Sequence, residues 1–251
     1  MIEKYYNGVI EQVAGEIGNV EHNSILVRYS NDFSIWDLES VNHYKDQTDI
    51  FFTCHEFSYN KIAEAYEPYL GLIRQMFHKY CSGTLEEFME ECDVYKLQRP
   101  VFESYFEKGF CERTEQILID EVEYEQERMH SSIVTMLQKL SEICPIVIVL
   151  NRFQLASKST MQLTNRLLQT KNKNIGIVLG VNDVQSIPEF AHEEWDAICE
   201  SMDDRNMVYH IGNAGRNMEP DVMDYYSDYE SDDGYRKLNN LVYFLDFDQA
   251  D

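Results

Sequence analysis

The chain has 251 residues, of which 44% are hydrophobic and 13% aromatic, a composition typical of a globular protein with a sizeable core. Asp and Glu number 45 against 21 Lys and Arg, and the formal net charge of −24 argues against binding to nucleic acid or to an anionic membrane. No apolar run reaches the roughly 20 residues of a membrane-spanning helix, and the first residues, MIEKYYNGVIEQ, do not resemble a signal peptide.

The cysteines predict the redox environment of the chain. There are 6, with no CxxC pair and no Cys/His spacing typical of a zinc site. Most lie in apolar surroundings, so we expect buried free thiols, no bound metal and a reducing, cytoplasmic location. The cysteines are Cys54, Cys81, Cys92, Cys111, Cys144 and Cys199.

Hydrophobic periodicity predicts the elements of the amino-terminal part of the chain. Short apolar runs bounded by polar residues indicate strands, and apolar residues spaced by three or four indicate helices. The pattern that runs from Ile62 to Cys92 is helical and includes Tyr66, Met76 and Tyr80. The predicted elements are helices at 3–18 and 34–44, strands at Ser24–Tyr29 and 49–54, a helical stripe from 62 to 92 and a long helix at 113–143.

A βαβ unit is the strongest signal in the sequence. Residues 146–150, IVIVL, form a continuous apolar run, which is typical of a strand buried on both faces of a parallel sheet. Ser157 is a suitable N-cap for an amphipathic helix, and a second apolar strand follows at 175–181. Because ligands of parallel sheets bind at the carboxyl ends of the strands, the polar residues there are candidates for a site. These residues are Asn151, Arg152, Asn182 and Asp183.

The carboxyl-terminal part begins with a further helix at 193–202 and a fifth strand at 207–211. Residues 219–234, EPDVMDYYSDYESDDG, are strongly acidic. A last amphipathic helix at 235–250 has enough apolar surface to need a partner. We therefore expect residues 216–251 to form an acidic loop and helix that lead to a following domain.

Five buried strands alternating with helices predict an α/β fold with a doubly wound, five-stranded parallel sheet. The order of elements resembles the P-loop NTPase domain of signal-transduction ATPases of the AAA/STAND type. The segment CHEFSYNKIAEAYEPYLGLIRQM resembles the polar stretch and "pY-x-P" helix of that family, with Tyr66, Pro68 and Tyr69. The resemblance covers most of residues 1–215 and implies a helical insertion at about 61–142, followed by an acidic strand, a helix and a sensor strand.

The phosphate-binding loop departs from the family pattern. A Walker A loop needs glycines whose backbone N–H groups surround the phosphates, a lysine for their charge and a hydroxyl for Mg²⁺. The corresponding residues 29–36, YSNDFSIW, contain no glycine. Ile35 stands at the lysine position and Trp36 at the hydroxyl position, and Asp32 would repel phosphate. We expect this degenerate loop, with Tyr29, Asp32, Ser34, Ile35 and Trp36, not to bind a triphosphate in the usual way.

The acidic strand has also lost its carboxylates. Asn151 and Arg152 stand where the resemblance implies a Mg²⁺-orienting Asp and a water-activating carboxylate. Arg152 could bind an anion or could pair with Asp183 or Glu56. His55 and Glu56 form half of a metal or acid–base site, or a hydrogen-bonded pair at a strand end. We interpret His55, Glu56, Asn182 and Asp183 as a possible residual ligand or sensor edge.

Two further motifs have an ordinary interpretation beside a functional one. Residues 212–216, GNAGR, suggest a phosphate loop but lack GxGxxG spacing, which favours a turn. Residues 228–234, DYESDDG, suggest a calcium loop, but the glycine is misplaced for an EF-hand and an acidic loop is favoured. No GxSxG elbow is present in the sequence.

These features predict an ATPase-like regulatory or scaffold domain without catalytic residues or cofactor. It would be the amino-terminal part of a larger cytoplasmic signalling protein, with a helical-repeat or output domain as partner, and would bind neither nucleic acid nor membrane. One alternative is a nucleotide-binding switch that uses Arg28 and Arg152 without efficient hydrolysis. Another is an acidic protein that occupies a basic partner surface.

Overall fold

A computed structural model describes residues 12–18, 23–29, 49–58, 63–110, 122–170, 172–182, 187, 189–203 and 208–211. Several predicted features lie outside the described residues. They are the 34–44 helix, the phosphate-loop residues Asp32, Ser34, Ile35 and Trp36, the strand-end residue Asp183, Cys111, the 212–216 turn, the acidic 219–234 segment and the 235–250 helix.

The described strands form one sheet. In chain order they are β1 (Ser24–Tyr29), β2 (Phe51–Glu56), β3 (Ile146–Asn151), β4 (Ile175–Asn182) and β5 (Val208–Ile211). Their order across the sheet is β2-β3-β4-β1-β5, and each neighbouring pair is parallel. The predicted α/β class with a parallel sheet is confirmed, in an order that differs from both the Rossmann and the flavodoxin-like orders.

The burial of β3 and β4 explains why their sequences are continuously apolar. Every residue of both strands is buried, so each face of the sheet is covered at these positions. The register places Leu150 beside Leu179 and Tyr29 beside Asn182. The carboxyl ends of β1, β3 and β4 therefore lie at the same edge, with β4 in the middle.

The α-helices of the described residues follow the predicted pattern only in part. The helix after β3 and its Ser157 cap are confirmed, because the Ser157 hydroxyl accepts a hydrogen bond from the Thr160 N–H. The helix predicted at 193–202 is also confirmed. The helices are α1 (Tyr69–Tyr80), α2 (Leu85–Glu91), α3 (Arg99–Lys108), α4 (Val122–Ile143), α5 (Lys158–Gln169) and α6 (His192–Asp203).

The continuous helical stripe predicted from 62 to 92 is wrong. Residues 63–68 are not helical and contain a cis peptide bond between Glu67 and Pro68. The chain leaves α1 at Cys81 and begins α2 at Thr84, which forms a capping box with Glu87. The two capping hydrogen bonds, at 3.2 and 2.8 Å, satisfy backbone donors that a continuous helix would have paired internally.

Two more differences concern the segment between β2 and β3. The strand predicted at 49–54 is β2, shifted by two residues, so His55 and Glu56 belong to the strand itself. Helix α3 was not predicted; Pro100 lies in its first turn, and Gly109 ends it in the left-handed conformation with φ 80°. The core of this helical insertion is aromatic, with Phe77 in ring contact with both Phe88 and Phe106.

The cysteines within the described residues are free thiols. Cys92 and Cys144 are buried, as expected, whereas Cys54, Cys81 and Cys199 are half-buried. Burial raises the pKa of Cys92 to about 12, so this thiol stays protonated and unreactive at neutral pH. In the part of the chain that the structure describes, no helix has the length and apolar character to cross a membrane.

Gly176 provides a test of how the amino-terminal segment packs on β4. A Cβ at this position would lie 2.6 Å from Val13 Cγ1 and 3.2 Å from the Asn23 carbonyl oxygen. We expect Gly176→Ala to lower the free energy of unfolding by about 1–3 kcal/mol through overpacking, measured by urea denaturation. Adding Val13→Ala should restore part of that loss.

Gly71→Ala is the matched control, because the nearest atom to its added Cβ would be the Tyr105 hydroxyl at 3.9 Å. Gly71 lies within α1, so this substitution should raise stability by about 0.5–1 kcal/mol. Equal destabilisation by the two alanines would contradict the close packing of Val13 on Gly176.

Candidate functional site

The carboxyl edge of the sheet brings together most of the polar residues that the sequence indicated. Glu56 is in register with Asn151, and Asn182 with Tyr29. Arg152 follows Asn151 directly. Since β4 lies between β1 and β3, these residues lie at the edge where parallel sheets bind their ligands.

Asn151 ends β3 and turns the chain over the edge of the sheet. Its side chain is fully buried, and its Oδ1 accepts a hydrogen bond from the Arg152 backbone N–H at 3.0 Å. Arg152 adopts the left-handed conformation, with φ 52° and ψ 41°, and leads into a single 3-10 turn, Phe153–Leu155. The amide oxygen thus stabilises a backbone conformation that few non-glycine residues adopt.

Gln154 completes this edge, and no sequence pattern indicated it. It lies within the 3-10 turn, is fully buried, and its Oε1 accepts a hydrogen bond from the Asn182 backbone N–H at 3.3 Å. We refer to Asn151, Gln154 and Asn182 as the amide cluster. Its carboxamides are neutral at all relevant pH values, so they can neither act as a general base nor provide the negative charge that Mg²⁺ ligands supply.

Arg152 contacts Glu56, one of the two carboxylates that the sequence suggested for it. The distance from Arg152 Nε to Glu56 Oε1 is 3.4 Å, with side chains 21% and 36% exposed. At this exposure the pair adds little to stability. The pair matters for ligand binding, because the Glu56 carboxylate offsets the Arg152 charge that an anionic ligand would need.

His55 does not share its partner with Glu56. Its Nε2 lies 3.4 Å from Glu67 Oε1, and its ring packs edge-to-face on Phe57 at 4.5 Å. The expected hydrogen-bonded pair of His55 and Glu56 is therefore replaced by two contacts in different directions. The reason is geometric: consecutive residues of a strand point to opposite faces of the sheet.

The segment that resembles the pY-x-P motif is anchored to the first turns of α5. The Ser157 and Thr160 hydroxyls donate to the carbonyl oxygens of Glu64 and Glu67, at 3.2 and 3.1 Å. The Tyr69 hydroxyl lies 2.6 Å from Thr164 Oγ1, and burial raises the pKa of Tyr69 well above its usual value. These bonds fix where the helical insertion leaves the sheet.

Arg28, on β1, contacts α6. Its Nη2 lies 3.2 Å from Cys199 Sγ, and its guanidinium carbon is 5.9 Å from the centre of the Trp195 ring. Both partners belong to α6. Arg28 therefore contacts this helix. The nucleotide-switch alternative, in contrast, assigns Arg28 to the phosphates.

Comparison with protein-family models, with curated proteins and with solved structures found no match. Among the described residues, no group of three or more His, Cys, Asp or Glu side chains is arranged to hold a metal ion. The functional interpretation therefore depends on the amide cluster and the contacts around it.

His130 should make stability depend on pH. It is buried on α4 with its ring edge-to-face on Tyr66 at 5.4 Å, and this burial lowers its pKa to about 4. The nearby Glu127 carboxylate opposes the shift, and Arg166 adds slightly to it. In the unfolded chain the histidine titrates near pH 6.5, so unfolding takes up a proton between the two values and stability is lost as the pH falls from about 6.5 to 4.

Between pH 6.5 and 4, protonation of His130 on unfolding should lower the free energy of unfolding by about 3 kcal/mol. We expect His130→Phe to abolish this pH dependence, because phenylalanine does not titrate, while keeping the ring contact with Tyr66. Urea unfolding at several pH values between 4 and 7.5 measures it. His78→Gln, at an exposed position on α1, serves as the control for replacing a histidine at the surface and should change stability little. A slope that His130→Phe does not reduce would show that His130 is not buried in its neutral form.

Asn151 offers a second test, of the environment at the sheet edge. Asn151→Asp would bury a carboxylate, whose pKa desolvation would raise above that of the unfolded chain. We expect a loss of about 2–4 kcal/mol at pH 7 that shrinks as the pH falls and the carboxyl becomes neutral. Asn174→Asp, in the half-exposed turn before β4, should cost far less. A tolerated aspartate at 151 would mean that this edge is hydrated or already cationic.

Proposed function

We propose that this chain is an ATPase-like α/β domain that acts through protein–protein contacts and does not hydrolyse nucleotide. The observation that carries the proposal is the amide cluster. Asn151 is buried at the end of β3, the position at which the resemblance to AAA/STAND ATPases implies a Mg²⁺-binding carboxylate. A neutral amide there provides no strong metal ligand and no base for the attacking water.

The strand order supports the finer part of the proposal, a doubly wound sheet of the P-loop NTPase type. The resemblance assigns β1 to the phosphate loop, β3 to the acidic strand and β4 to the sensor residue. In the sheet, β4 lies between β1 and β3, so the three strand ends adjoin one another. From β1 the chain crosses to β2 at one edge of the sheet and returns through β3 to β4, which lies beside β1. It then continues to β5 on the other side of β1, so the direction of winding reverses at β1.

The arginines near this edge support the absence of phosphate binding. A triphosphate needs concentrated positive charge, and the net charge of −24 opposes it at long range. Arg152 faces Glu56, and Arg28 contacts α6. In the nucleotide-switch alternative, both arginines would have to leave these contacts in order to bind phosphate. A Walker A loop avoids this cost because its own lysine binds the phosphates.

A surface on the helical insertion supports the interaction role. The Arg128 guanidinium lies between the rings of Tyr95 and Tyr124, at 4.0 and 4.1 Å from their centres. Both tyrosines are exposed, and Leu97 nearby in sequence is 72% exposed. Tyrosine and arginine are enriched at energetic centres of interfaces. An already stacked arrangement also loses less side-chain freedom on binding.

In this proposal the domain is the amino-terminal part of a cytoplasmic signalling protein, and a helical-repeat or output domain is its partner. The acidic-protein alternative predicts a different behaviour. Binding driven by the net charge alone should weaken steeply with salt, whereas binding through an aromatic surface should change little.

The test is a titration with ATP, ADP and GTP, with and without Mg²⁺, followed by thermal unfolding and calorimetry. Ligand at five times its dissociation constant adds about 1 kcal/mol to the stability of the native state, so millimolar nucleotide reveals even a weak site. We expect no change in Tm and no saturable heat, because the cationic and metal-binding groups are missing.

Saturable binding would overturn the proposal and support the nucleotide switch. Arg152→Ala should then abolish that binding with or without Mg²⁺. Lys173→Ala is the matched control, because it removes an exposed positive charge in the turn before β4, at the opposite edge of the sheet.

A further inference from the structure

A turn between α2 and α3 presents Leu97, which is 72% exposed and is the most exposed large apolar side chain of the described residues. Tyr95 begins the turn, and its carbonyl oxygen accepts a hydrogen bond from the Gln98 N–H at 2.9 Å. A single exposed leucine is ordinary on a protein surface. Its surroundings therefore decide whether Leu97 belongs to a docking surface.

The turn is held against α4 by a buried amide. The Gln98 side chain is 4% exposed, its Nε2 donates to the Glu125 carbonyl oxygen at 3.1 Å, and its Oε1 accepts from the Ser132 hydroxyl at 3.3 Å. The Arg99 Nε donates to the carbonyl oxygen of Val94, the residue just before the turn, at 3.1 Å. Because these bonds fix the turn before binding, a partner would gain the apolar contact of the turn with little loss of conformational freedom.

Arg128 joins the turn to α4, because its guanidinium is stacked between the rings of Tyr95 and Tyr124. Tyr124 is 54% exposed, so apolar and aromatic surface continues from the turn onto the helix. We call Tyr95, Leu97, Tyr124 and Arg128 the tyrosine–arginine surface. The Arg128 charge is offset within the protein, since its Nη1 donates to Glu125 Oε1 at 2.8 Å. Apolar and aromatic contacts are therefore the main interactions that this surface offers a partner.

The charges beside the tyrosine–arginine surface are mainly negative. Helix α2 leads into the turn and has exposed carboxylates but no Lys or Arg. Glu90 pairs with Arg99 at 3.4 Å, and the exposed Lys96 within the turn offsets one further charge. The C-terminal end of a helix adds partial negative charge of its own, so the surroundings of the surface favour cations. The exposed carboxylates are Glu86, Glu87, Glu90, Glu91 and Asp93.

We propose that the tyrosine–arginine surface docks a basic amphipathic segment of a partner protein. Apolar side chains of this segment cover Leu97, Tyr95 and Tyr124, and its lysine or arginine side chains face Glu91 and Asp93. The inference rests on the protein–protein role proposed above and specifies the partner of that role. It differs from the acidic-protein alternative because apolar contact, and not charge alone, provides the affinity.

The test is a titration with a fluorescein-labelled peptide of repeating Leu-Lys-Lys-Leu units, followed by fluorescence anisotropy. We expect saturable binding that Leu97→Ser weakens by about tenfold to a hundredfold, because the buried area of one leucine side chain is lost. Ile143→Ser is the matched control, since it removes a 55% exposed apolar side chain at the opposite end of α4 from Tyr124. This variant should bind the peptide normally.

The charged part of the site is tested by Glu91→Gln, which should weaken binding about twofold to fivefold at low salt and have no effect at high salt. Glu142→Gln, at an exposed position near the end of α4, is the charge-matched control and should leave binding unchanged. Two further peptides separate the two contributions. Leu-Glu-Glu-Leu repeats keep only the apolar residues and Ser-Lys-Lys-Ser repeats keep only the charge, so each should bind about tenfold more weakly or worse.

The proposal is overturned if the Leu-Lys peptide does not bind saturably at millimolar concentration, or if Leu97→Ser leaves its binding unchanged. Equal affinity of the Leu-Glu peptide overturns it as well, and equal affinity of the Ser-Lys peptide would support the acidic-protein alternative in its place. Failure here is distinct from failure of the proposed function, which the nucleotide titration decides. If neither peptide nor nucleotide binds, the interaction role stands and only this partner is excluded.

Discussion

The burial of the strand ends is the constraint on which this structure depends. The residues at the ends of β3 and β4 are buried, so their polar groups are removed from water and depend on partners within the protein. A carboxylate at such a place needs a cation to offset its lost hydration. The amide of Asn151 fits the same position without one, and its oxygen still holds the backbone of Arg152.

The same constraint connects the sheet edge to the helical insertion. Ser157 caps α5 and also donates to the Glu64 carbonyl oxygen, so one hydroxyl ends a loop and begins a helix. Thr160 and Thr164 extend this row of hydroxyls to Glu67 and Tyr69. This loop, whose residues Ala63, Ala65 and Tyr66 are buried in the core, thereby acquires a fixed path, which positions Tyr66 against His130.

The sequence was sufficient where one physical signal dominates. Continuous apolar runs predicted β3 and β4, and Ser157 predicted the start of α5 because a hydroxyl cap is a local feature. Local periodicity failed at Tyr66, whose spacing fits α1 although its backbone has a positive φ of 57° just before Pro68. Gln154 could not be predicted at all, since its role depends on the distance between the 3-10 turn and β4. Strand order and register, which no single-sequence pattern contains, decide which strand ends meet.

The sheet edge is occupied by contacts of its own. Gln154 already accepts from Asn182 and Arg152 already faces Glu56, so a ligand would have to displace contacts that exist. A ligand shifts an equilibrium only through interactions that the free state lacks. The contacts at the ends of β3 and β4 accordingly hold the fold together, and they leave a ligand little to gain there.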